Sequence, residues 1–195
     1  MELPKLSVKA FSNLLRELGA CSEAREWTQS KTSQTAFRRC ERADWMLWLL
    51  ARMVGKPGWL THPQLVLVTC AAVEPSLSYI PQEETRPRLA LEAARLWAHS
   101  PTEPNRQAAA AAADAAWSAW ATVWAKTWAP ARAAEAAAKA AYYGAIAATH
   151  AAWSVADARR AAEAVANARV AARAVKETKH CIADTIRRTI QDFQG

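Results

Sequence analysis

Four histidines, His62, His99, His150 and His180, and four cysteines, Cys21, Cys40, Cys70 and Cys181, are the residues of this 195-residue chain best suited to proton transfer, thiolate attack or metal ligation. A Cys–His nucleophile pair needs the two side chains within hydrogen-bond reach, and a structural zinc site needs four such ligands at short, recurrent spacings. Neither pattern is present in the sequence: there is no CxxC pair, and only His180 and Cys181 are neighbours. Paired carboxylates at a useful spacing and a glycine-rich phosphate loop are also missing. The expectation is therefore no catalytic residue, no metal and no cofactor. The cysteines read as reduced, buried apolar residues of a cytoplasmic protein.

Charge excludes further classes. The chain carries a formal +7, and its basic excess is spread evenly: 13 basic and 10 acidic groups in residues 1–100, 12 and 8 in residues 101–195. With no basic arm, finger or RNA-binding aromatic motif, that spread reads as a solvated basic surface rather than a nucleic-acid site. Mean hydropathy is −0.17 although hydrophobic types make up 52% of the residues, because alanine supplies much of that class. No apolar run approaches the ~20 residues of a spanning helix, since Asp114, Lys126, Glu135 and Lys139 interrupt the alanine-rich tracts. The amino-terminal stretch MELPKLSVKAFSNLLREL lacks the apolar core of a signal peptide.

The elements that must position any functional side chain are helices. Five glycines and nine prolines, the latter mostly where helices could start or stop, punctuate an all-α chain. The expected fold is a single domain over residues 1–195, an array of roughly eight to ten packed helices, with mixed amphipathic helices in 1–100 and long alanine-rich ones in 101–195. Ser7 to Leu18 is amphipathic and followed by Gly19, suited to a left-handed C-cap. Ser22 is expected to cap a short helix through Trp27. Residues 34–40 and 43–54 are expected to give one or two helices ending before GKPG at 55–58, and Thr61 with Gln64 resembles a capping box. A helix over 86–99 should place Arg88, Glu92, Arg95 and His99 on a solvated face and Leu89, Ala93, Leu96 and Trp97 on a buried one. Thr102 and Pro104 open the alanine-rich helix, Pro130 interrupts it, and further breaks are expected near Ser154 and Thr178.

In that helix Trp117, Trp120, Trp124 and Trp128 recur at three, four and four, within an arc of roughly 80° at 100° per residue. Alanine-rich helices approach closely, and a tryptophan stripe fills the wider grooves between them. Tyr142, Ile146 and Trp153 form a second stripe able to pack against the first. ERADWMLWLLARM, residues 41–53, carries apolar side chains in every direction after Asp44 apart from Arg52, as a centrally buried helix would.

That segment, together with GACSEAREW (19–27), ETRPRLALEAARLWA (84–98), the alanine-rich middle and CIADTIRRTI (181–190), resembles the all-helical immunity proteins encoded with bacterial polymorphic toxins. The Arg-small-Asp-Trp motif is matched by Arg42, Ala43, Asp44 and Trp45, with alanine where glycine is frequent. The Glu-x-Arg-Pro segment is matched by Glu84, Arg86 and Pro87, and the later acid and tryptophan by Glu92 and Trp97. The terminal motif is matched by Cys181, Ala183 and Asp184, followed by Arg187 and Arg188. The crowding of tryptophans departs from that pattern.

The resemblance implies a cytoplasmic protein that binds and neutralises one cognate toxin without catalysis, with neither nucleic acid nor membrane as partner. On that reading Arg42, Asp44, Arg86 and Asp184 surround a groove that receives the toxin. Arg169, Arg173 and Lys176, on the outer face of the last long helix, offer a second surface. The plainer role for Asp44 is an N-cap or the partner of a buried arginine. An alternative is a helical scaffold or regulator whose tryptophan-lined groove binds a small molecule or a peptide helix. If the Trp117–Trp128 stripe is core, Trp120→Ala or Trp124→Ala costs roughly 3–5 kcal/mol; an unchanged melting curve would instead mark an exposed stripe.

Overall fold

A computed structural model describes residues 3–74, 77, 82–126 and 178–193, without the side chains of Asp44, 117–126 and 178–181. Eight α-helices and no strand occur among the described residues: α1 (Val8–Glu17), α2 (Ser22–Thr28), α3 (Ser33–Arg39), α4 (Ala43–Met53), α5 (His62–Val73), α6 (Arg86–His99), α7 (Glu103–Lys126) and α8 (Thr178–Asp192). The all-α expectation holds. The expected breaks at Pro130 and Ser154, Trp128, the second aromatic stripe and the Arg169–Lys176 surface lie outside the described residues.

Local chemistry explains most helix ends. Ser7 accepts from the Ala10 amide to cap α1. At its other end Gly19 adopts φ +74, so that its amide reaches Arg16 O at 3.0 Å and the Ala20 amide reaches Leu15 O at 2.8 Å, a Schellman closure that a side-chain-bearing residue would strain. Thr61 and Gln64 form the expected reciprocal capping box on α5, with Pro63 in the first turn. Ser22 is not the cap of α2 but its first residue, and Cys21 stands at the N-cap without a side-chain bond. The serine offset by one position leaves its hydroxyl inside the helix rather than before it.

The core centres on α5, where Leu65, Val66, Val68, Thr69, Cys70, Ala72 and Val73 are all buried. Such a helix needs neighbours around most of its circumference, and it packs against α4, α6 and α8, with the stripe of Gln64, Leu67 and Ala71 half-buried. From α4 come Met46, Leu47, Leu49, Leu50, Ala51 and Met53; from α8 come Ala183, Ile186 and Ile190 at helical spacing. Phe11 and Leu15 of α1 join the same cluster. The amino-terminal segment is pinned to α3 by Ser33, whose hydroxyl donates to Pro4 O at 2.7 Å and accepts from the Leu6 amide at 2.8 Å.

Helices α6 and α7 meet through alanines: Ala90 of α6 packs with Ala113 and Ala116 of α7. The small side chains let the two axes approach closely, as the alanine-rich composition anticipates. The expected faces of α6 need correction. Its buried residues are Pro87, Ala90, Leu91, Ala94, Trp97 and Ala98, whereas Leu89 and Leu96 are 53% and 54% exposed. The reason is that α6 contacts both α5 and α7, so the covered arc is set by two partners and is met largely by alanine, not by the most apolar stripe. Arg95 turns to Glu74 at the end of α5, at 2.7 Å, instead of pairing along its own helix.

Replacing Ile186, which is fully buried, with alanine is expected to cost about 2–5 kcal/mol and Ala116→Leu about 1–3 kcal/mol through overpacking at the alanine seam. Urea unfolding of the two variants checks both values, and an unaffected Ala116→Leu variant would mean that α6 and α7 do not pack closely.

Candidate functional site

The packing of α1 to α4 leaves an open cavity of about 260 Å³ in the first half of the chain. Its apolar walls are Phe11 and Leu15 from α1, Ala24 and Trp27 from α2, Ala36 and Phe37 from α3, and Trp45, Met46, Trp48 and Leu49 from α4. Each helix contributes for a local reason. Phe11 and Leu15 lie one turn apart, on the same face of α1. Gly19 turns the chain so that α2 returns beside α1, and Trp45, Trp48 and Leu49 occupy the i, i+3, i+4 face of α4. Trp27 and Trp45 meet with ring centroids 5.9 Å apart and planes tilted by 58°, a favourable aromatic arrangement.

Cations cover the tryptophans. The Arg42 guanidinium lies 4.3 Å from the centre of the Trp45 ring, the Lys31 ammonium 4.4 Å from Trp27, and the Arg52 guanidinium 5.7 Å from Trp48. These are cation–π distances, and they hold three positive charges against the aromatic wall. Arg42 also pairs with Glu23 at 3.0 Å, and Lys31 donates to the Trp27 carbonyl. The Arg52 Nε is buried with no hydrogen-bond partner among the described residues.

One wall is held from the far end of the chain. Arg187 of α8 donates to Phe37 O at 3.2 Å and to Cys40 O, and its remaining nitrogen pairs with Asp184. A guanidinium at these carbonyls also complements the negative end of α3. The Cys40 Sγ in turn lies 3.4 Å from Arg42 O, so the end of α3, the start of α4 and the Asp184–Arg187 turn form one connected corner.

The sequence-derived site residues divide accordingly. Arg42 lies over the ring of Trp45, a wall residue, and does not itself line the cavity. Asp44 is the second residue of α4, and its side chain lies outside the described residues. Asp184 reaches the same corner through Arg187. Arg86 pairs with Glu84 in its own segment, and its hydrogen bond holds the Glu84 carboxyl below the ordinary carboxylate range; none of its described bonds reaches Arg42 or Asp184. Trp27 and Trp48, which line the pocket beside Trp45, fall outside the sequence-derived site residues. The signal lay in their pairing with Lys31 and Arg52 at i+4, which sets a cation beside each ring.

The cysteines differ in setting. Cys21 is exposed at the pocket edge, while Cys40 and Cys70 are buried. No group of three or more potential metal ligands occurs among the described residues, and no described helix is long and apolar enough to cross a membrane. No protein-family model, curated protein or solved structure matches the chain.

Burial pushes the Cys70 thiol from 9.0 up to about 12, with Arg95 opposing and Glu74 adding to the shift. A pKa raised by folding means the native state holds the proton more tightly, so this stabilising contribution is complete below pH 9 and is lost as pH rises from about 9 toward 12. Alkylation mapped by mass spectrometry is expected to modify Cys21 rapidly in the native protein and Cys70 only on unfolding. Modification of Cys70 at the rate of Cys21 would show that α5 is not sealed.

Proposed function

We propose that the protein is an immunity-type inhibitor that binds a cognate bacterial toxin in the cytoplasm without turnover, using the pocket of α1 to α4 as the seat of contact. The observation that carries this reading is the pocket itself: an open apolar cavity walled by Trp27, Trp45 and Trp48 and overlaid by Lys31, Arg42 and Arg52. Tryptophan and arginine clustered in a concave, preformed site are the residues that dominate binding energy at protein interfaces. Two of the segments that resemble immunity proteins, around Arg42–Trp45 and Asp184–Arg187, support the reading further because they converge on this corner.

The alternative, a regulator binding a small molecule in the same groove, draws on the same cavity. Its volume of about 260 Å³ admits an inserted side chain or a compact small molecule. Inhibition through binding alone also needs no group beyond those present: rigid apolar walls supply the anchor, and the fixed cations supply orientation and association rate.

The test is co-expression with the toxin encoded beside the gene. Arg42→Glu is expected to weaken the toxin complex by at least about 30-fold and to remove protection, while the free protein stays folded with a modest fall in melting temperature, because the change removes a pair whose Glu23 side chain is exposed and one stacking contact on Trp45. Full protection by a correctly folded Arg42→Glu protein would remove Arg42 from the interface, and failure of the wild type to bind that toxin would overturn the inhibitor reading.

A further inference from the structure

We infer that the guest of this pocket is an aromatic side chain flanked by carboxylates on the surface of the protein partner; this rests on the inhibitor reading and specifies what that partner must present. The walls define the apolar part. About 260 Å³ bounded by Phe11, Phe37, Trp27, Trp45 and Met46 accommodates one large ring, which gains edge-to-face contacts with the wall indoles and a thioether contact from Met46.

The rim defines the charge. Tryptophan cages can recognise cations, but here Lys31, Arg42 and Arg52 lie against Trp27, Trp45 and Trp48 without lining the cavity itself, so a cationic guest meets repulsion from charges one ring away. Arg38 and Arg39, exposed at the end of α3 beside the wall residue Phe37, add to the same sign. Against these stand Glu23, which pairs with Arg42, the exposed Glu26 and Glu41 on the same elements, and Asp184, which pairs with Arg187. Carboxylates beside the guest ring complement the rim and can exchange with Glu23, whose side chain is 69% exposed and lightly held. A guest with an aromatic centre and acidic flanks satisfies walls and rim together; a neutral apolar guest satisfies only the walls.

Cys21 provides the readout, since it is exposed and lies on the pocket lining. The rate of Cys21 alkylation is measured on the full chain with three blocked pentapeptides: one with tryptophan between paired glutamates, one with alanine in place of the tryptophan, and one with lysines in place of the glutamates. At tenfold its dissociation constant the acidic tryptophan peptide is expected to slow alkylation about tenfold by mass action. The other two peptides at the same concentration are expected to leave the rate unchanged, and raised salt weakens the protection. In Arg42→Glu the preference shifts toward the lysine-flanked peptide. Equal protection by all three, protection by the alanine peptide alone, or no protection by the acidic tryptophan peptide each overturns the inference.

The same rate measured in the toxin complex separates this inference from the reading beneath it. Undiminished Cys21 reactivity in a complex that still neutralises toxin would refute the guest assignment and leave the inhibitor reading standing. Protection by the acidic tryptophan peptide in a protein that binds no toxin would do the reverse.

Discussion

Helix α5 is buried over most of its circumference, with only the stripe of Gln64, Leu67 and Ala71 half-buried, and the rest of the described architecture answers to that constraint. With Leu65, Val66, Val68, Cys70, Ala72 and Val73 at 3% exposure or less, it must be enclosed, and α4, α6 and α8 enclose it. Burial at roughly 25 cal/mol per Å² makes such a central helix the strongest organising element of a domain of this size. Once α8 is drawn onto α4 and α5 by Ile186 and Ile190, Arg187 is delivered to the carbonyls at the end of α3. The pocket wall is thus held by residues 150 positions apart in the chain, and its rigidity follows from the enclosure of α5.

The pocket is the residue of that arrangement on the other side of α4. One side of α4 faces α5 and is sealed by Leu50 and Leu47; Trp45 and Trp48 lie on the other, half-buried, where α1, α2 and α3 close around them without filling the space. Three cations laid on the indoles keep the rings from being a bare hydrophobic patch. The same stacking orders long side chains in advance, which lowers the entropic cost of using them in recognition.

Much of the fold is legible in the sequence because its signals are local. The capping box at Thr61–Gln64, Gly19 after the amphipathic first helix and the alanine spacing of α7 each act within one or two turns, and each appears in the structure. The faces of α6 are not legible in its sequence, because Leu89 and Leu96 are more apolar than Ala90 and Ala94, yet the positions of α5 and α7 decide which arc is covered. Asp184 reaches the neighbourhood of Arg42 only through Arg187, a contact across the whole chain that no spacing rule encodes. Trp45 and Trp48 read as core on apolar pattern alone; that they line a cavity depends on where α1 to α3 pack.

Hydrogen–deuterium exchange of the protein alone and mixed with the proposed toxin partner shows whether the α1–α4 pocket is the contact surface. Slowed exchange is expected to be confined to the amides of α2 and of the segment from Phe37 through Trp48, with those of α5 unchanged because they are already largely enclosed. Protection confined to α6 and α7, with the pocket segments exchanging as in the free protein, would contradict it.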